Sequence, residues 1–128
     1  MKRLVMLMLL AGGLANAEDF SARVRAGKLA LSSPLAQKYE STWGPKVTGA
    51  MTACHALGFR PLDGAETFTF VGNISPAGLV SSVDVRPSTP VSRCFVEHFN
   101  NVQLPPPPPA LLNNGRFLPV ADELEWRS

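Results

Sequence analysis

Two cysteines and two histidines are the residues of this chain best suited to chemistry: the adjacent pair Cys54-His55, and Cys94 with His98 four residues further on. A thiol and an imidazole at i and i+4 share one helix face, and a thiolate–imidazole pair is a nucleophile. The same four side chains supply the donor set of a tetrahedral zinc or copper(I) site. Neither chemistry is the expected one. Cys94 falls among apolar residues at helical spacing, and apolar burial raises a thiol pKa and leaves it inert. Neighbouring Cys54 and His55 leave a helix in different directions, and the C-x₂-C spacing of structural zinc is absent. The chain also lacks a glycine-rich phosphate loop, a zinc-protease motif and a nucleophile elbow. The expectation is a Cys54–Cys94 disulfide in a protein that is not an enzyme, with no catalytic residue, bound metal or cofactor.

The first residues say where such a bond would form. MKRLVMLMLLAGGLANA has a basic start at Lys2 and Arg3, an apolar stretch from Leu4 to Leu14, and a small-x-small end at Ala15-Asn16-Ala17. That is the pattern of a secretory signal peptide over 1–17, of bacterial type. Its apolar stretch is shorter than the roughly 20 residues needed to span a bilayer. Cleavage after Ala17 removes Lys2 and Arg3 and leaves 111 residues carrying ten charges of each sign. A neutral, evenly charged remainder has no footprint for nucleic acid, and no later segment is apolar enough to insert in a membrane. The expected location is the periplasm or the exterior. There an even cysteine count argues for a disulfide. A bridge closing a loop of about 40 residues contributes roughly 4 kcal/mol in the chain-entropy account, a large share of a small domain's roughly 5–15 kcal/mol.

The elements that must position these residues follow from periodicity. Residues 18–44 form an N-terminal helical segment, weakened by Gly27 and restarted at Ser33-Pro34, where Ser caps and Pro takes the first helical position. Gly44-Pro45 is expected to break it. From Pro45 a second helix places Val47, Ala50, Met51, Cys54 and Leu57 on one face, with Gly58 closing it. ETFTFVGNI, 66–74, reads as a strand with Phe68, Phe70 and Ile74 on one side. SPAG, 75–78, is a turn. LVSSVDVR, 79–86, is the returning strand, with Leu79, Val83 and Val85 on one side and Val80, Ser82 and Asp84 on the other. Thr89 caps a helix that starts at Pro90 and carries Val91, Cys94, Phe95, Phe99 and Val102 on its apolar face. Residues 115–126 make a last strand, which Pro119 assigns to a sheet edge. The expected fold is α+β: a three-stranded antiparallel sheet with helices packed on one face, in the order helix, strand, strand, helix, strand.

That order, with FTFVGNISPAGLVSSVDVRPST followed by PVSRCFVEHFNNVQLPPP, resembles the C-terminal domain of TonB-like energy transducers. The landmarks are Phe68, Phe70, Gly78, Val80, Val83, Val85, Ser88, the helix from Val91 to Phe99, and the Leu104-Pro105 exit. The resemblance covers roughly 45–126, within a domain expected over 45–128. It implies this α+β fold and binding through a sheet edge. The chain departs from the transducers in having a cleavable signal and lacking their long proline-rich linker, so energy transduction is not carried over.

Pro105–Pro109 are expected to act as a rigid spacer, because five residues in an extended helix at about 3.1 Å each cover roughly 15 Å. Asp122, Glu123 and Glu125 form a charged edge. The expected function is a non-enzymatic interaction module of the cell envelope, whose partner is another envelope protein. It would take up that partner by strand addition near Phe117, Leu118 and Val120. The alternative is an inhibitor or immunity protein that inserts a loop, 60–65 or 110–115, into an enzyme.

Overall fold

Ser33 and Thr89 start the two helices that carry the cysteines. In the computed structural model, which describes residues 19–127, Ser33 Oγ accepts a hydrogen bond from the Ala36 amide at 3.1 Å. The expected signal peptide over 1–17 lies outside the described residues. A first helix, α1, occupies 19–30. After the turn at 31–33, α2 runs Pro34–Ala56 without interruption.

The expected break at Gly44-Pro45, and with it the domain boundary drawn between 44 and 45, falls inside α2. Proline in a helix interior costs about 3 kcal/mol. Here Ala36, Tyr39, Trp43, Ala50 and Cys54 are all buried along one stripe that stays in phase across Pro45. Breaking the helix would expose either Trp43 or the Ala50–Cys54 half. Burial of one large apolar side chain is worth about 1.5–3 kcal/mol, so the continuous stripe outweighs the local penalty.

The hairpin pairs β1, Ala65–Ile74, with β2, Val80–Arg86. Its turn needs Gly78, whose φ is +94° and whose missing Cβ would stand 2.1 Å from the Leu104 carbonyl oxygen. Strand β2 departs from simple alternation. Asn73 pairs with Ser81 but Val71 pairs with Asp84, so Ser82 and Val83 together oppose Gly72, and Ser82 takes φ +54°. The bulge resets the faces. Val80, expected on the side opposite Val85, is buried together with it, whereas Leu79, expected beside Val85, is 40% exposed.

Thr89 then caps α3, Pro90–Phe99, in a reciprocal capping box with Ser92. The prolines lead through a 3₁₀ turn at Pro109–Leu111 to β3, Leu118–Arg127. The sheet order is β2-β1-β3, all antiparallel, with β3 paired to β1 from Ile74↔Leu118 to Ala65↔Arg127.

The main core lies between the sheet and the α2–α3 pair. Phe95 sits 5.5 Å from Phe68, 5.2 Å from Phe70 and 5.2 Å from Phe99, ring centre to ring centre, and Trp43 meets Phe70 edge-on. The disulfide Cys54–Cys94 ties α2 to α3 with its Cα atoms 6.0 Å apart. The opposite face of the sheet is covered too. Val71 and Ala121 are buried outside the main cluster. A Cβ on Gly27 of α1 would stand 2.5 Å from the Ala121 nitrogen. Arg23 donates to the Ser82 carbonyl, and the Arg86 guanidinium lies over the Phe20 ring. So α2 and α3 occupy one face, as expected of the helices, and α1 adds a third layer on the other.

Candidate functional site

Three features of the sequence carried chemical meaning: the sulfurs with the histidines, the last strand, and the proline run. The capped helices bring Cys54 and Cys94 together in the core, and both are bonded. His98, one turn after Cys94 on α3, lies with a ring nitrogen within 4.8 Å of both sulfurs and is half-buried. His55 takes no part in this group. It is exposed and stacks on Trp126 near the end of β3, with ring centres 6.2 Å apart. The four-residue set of the sequence is thus divided into a three-residue cluster and an isolated histidine.

The two outer edges of the sheet differ. On β2, the chain after α3 covers the start of the edge. The Val80 amide donates to the Val102 carbonyl at 3.0 Å, the Asn101 amide donates to the Val80 carbonyl at 2.8 Å, and Leu79 bridges to Gln103. On β3, no segment among the described residues pairs with the outer side of its ten residues. Two of the three edge residues expected to meet a partner are core residues: Leu118 and Val120 are buried, and Phe117, just before the strand, is half-buried. What β3 offers outward is its backbone, with the exposed side chains of Glu123, Glu125 and Arg127 beside it.

Asp122 is a further charge at this edge. It pairs with Phe70, so its side chain faces the helix side of the sheet rather than the outer face it would share with Glu123 in a simple charged rim. There it borders the same cleft as Glu40 and Trp43 of α2, about 320 Å³ in volume. Burial, and secondarily the charge of Asp122, raise the Glu40 carboxyl above its ordinary range. The sequence grouped Asp122 with Glu123 and Glu125 as one charged edge, and nothing local in it linked Asp122 to Glu40, 82 residues away.

The proline run crosses α2. Tyr39 Oη donates to the Pro105 carbonyl at 2.7 Å, and burial raises the Tyr39 phenol to about 12. Pro105, Pro106 and Pro108 line a groove with Leu35 and Tyr39. The prolines therefore pack on the protein's own helix as they carry the chain towards β3.

The chain matches no family model, no curated protein and no solved structure. Among the described residues no helix is long and apolar enough to cross a membrane.

Proposed function

We propose that this protein is an exported, non-enzymatic interaction module of the periplasm or cell exterior, akin to TonB C-terminal domains, that accepts an extended segment of an envelope protein along the outer edge of β3. The observation carrying this reading is the asymmetry of the sheet: residues 100–104 bond to the start of β2 at Val80 and, through the Asn100 side chain, to Val83, while no segment among the described residues pairs with the outer side of the ten-residue β3. An unpaired edge is a template for strand addition, in which backbone hydrogen bonds supply affinity. The disulfide between α2 and α3 suits an oxidising compartment.

Leu62 supports the second reading, a loop-inserting inhibitor. It is 99% exposed in the loop between α2 and β1, which leaves an apolar side chain free at the tip of one of the two loops this reading would insert.

Site-specific photo-crosslinking in cells tests both. Crosslinkers replace Glu123 on the β3 edge, Leu62 in the loop, and Arg93 on the exposed side of α3 as control. Strand addition predicts adducts from Glu123 to an envelope protein, and a synthetic peptide of the crosslinked segment that slows amide exchange in β3. Adducts from Leu62 alone, to an enzyme, would overturn the strand-addition reading in favour of the inhibitor.

A further inference from the structure

We propose that reduction of the Cys54–Cys94 disulfide uncovers a metal site, in which both sulfurs and the His98 imidazole bind a thiophilic d¹⁰ cation such as Zn(II). In the oxidised protein the sulfurs are bonded to each other and hold no ligand capacity as thiolates. The His98 ring is nonetheless already in place. Its nitrogen and the two sulfurs lie within 4.8 Å of one another, and no hydrogen bond or ion pair from a described residue engages the ring. Zinc bonds of about 2.3 Å to sulfur and about 2.0–2.1 Å to nitrogen reach all three from one central point once the sulfurs part.

The ligands come from two rigid elements. Cys94 and His98 are i and i+4 on α3, so the helix fixes their separation. Cys54 faces them from α2, whose own position is held by Trp43 and Ala50 in the core rather than by the sulfur bond alone. His98 also lines a cleft of about 490 Å³ that it shares with Gly49, Ala50 and Ala53 of α2. The cleft opens the imidazole side of the cluster to solvent, while Cys54 and Cys94 themselves stay buried.

The chemistry balances as follows. A dithiol reductant passes two electrons and two protons to the disulfide and closes to its own disulfide, leaving Cys54 and Cys94 as thiols. The cation then displaces both thiol protons to solvent and binds two thiolates and one neutral imidazole. Metal binding is therefore tighter at higher pH.

The experiment uses the full exported chain, reduced without oxygen by a dithiol that is then removed by desalting, and titrated with Zn(II) against a chromophoric chelator. Co(II) provides a thiolate-to-metal absorption band as a second readout. The expected result is a single Zn(II) on the reduced protein, none on the oxidised protein, and restoration of the exclusion by reoxidation. His98→Ala is expected to weaken binding by at least the roughly 10–100-fold seen when even an outer-shell partner of a metal is lost. Three outcomes overturn the proposal: a reduced protein that keeps its circular dichroism and binds no Zn(II), a His98→Ala variant that binds like the parent, or a reduced chain that is unfolded and does not refold with Zn(II).

Discussion

Glu40 is an acid placed where its charge is least favoured. It leaves α2 towards the helix-side face of β3, partly out of water, with Asp122 across the cleft and no ion pair to either carboxylate among the described residues. Burial first, and Asp122 second, raise its pKa above the ordinary range. The folded state thus holds the Glu40 proton more tightly than the unfolded chain does. Its contribution to stability is fully present below the unfolded pKa and is lost as pH rises from there through the raised, folded value. Glu40→Gln is expected to flatten this part of the stability-versus-pH curve and, at pH 7, to stabilise the protein by up to about 1 kcal/mol, the scale of partly exposed charge interactions. Urea denaturation of both proteins between pH 4 and 8 checks it. Curves that remain parallel across that range would remove Glu40 as the source.

Pro45 is where local preference and tertiary packing disagree within one element. An in-phase stripe from Ala36 to Cys54 requires a helix through a residue that cannot donate its backbone hydrogen bond. Pro45→Ala restores that donor in a helix whose geometry is already set by the core. The expected gain is about 1–3 kcal/mol, bounded above by the intrinsic difference between the two residues, with ellipticity at helical wavelengths unchanged or higher. A loss of stability would mean that α2 is jointed at Gly44. This conflict also explains which parts of the fold were legible in the sequence. The two Ser/Thr-Pro starts, the glycine turn and the cysteine-bearing stripe of α3 were readable, because capping, turn geometry and helical periodicity are local. The continuity of α2, the bulge that turns Val80 inward and the meeting of Glu40 with Asp122 were not, because each is decided by a neighbour distant in sequence. The candidate cluster was half legible: the i, i+4 spacing of Cys94 and His98 was visible, while the exclusion of His55 depended on where Trp126 came to lie.

At the scale of the whole molecule, the two faces of the sheet are built on different principles. One face buries four phenylalanines, Trp43 and the disulfide under α2 and α3. The other is closed by backbone approach, α1 lying so near β3 that Gly27 stands against Ala121 with no room for a side chain. A helical glycine is ordinarily a weakness, about 1 kcal/mol worse than alanine. The docking of α1 on β3 reverses that sign. A Cβ at Gly27 would meet the Ala121 nitrogen at 2.5 Å and the Val120 carbonyl carbon at 2.6 Å, both backbone atoms that cannot swing aside. Gly49, inside α2, has no atom within 4 Å of the same imagined carbon. Gly49→Ala is therefore expected to stabilise by up to about 1 kcal/mol. Gly27→Ala is expected to destabilise by roughly 1–3 kcal/mol, the range for overpacking, and to open α1 to trypsin at Arg23, Arg25 and Lys28 while the disulfide-linked core resists. Both substitutions change the same atoms in the same kind of element, so opposite signs can come only from the layer that α1 forms. If Gly27→Ala stabilises like Gly49→Ala, α1 is not a layer of the fold, and Val71 and Ala121 lie on a sheet face that something else must cover.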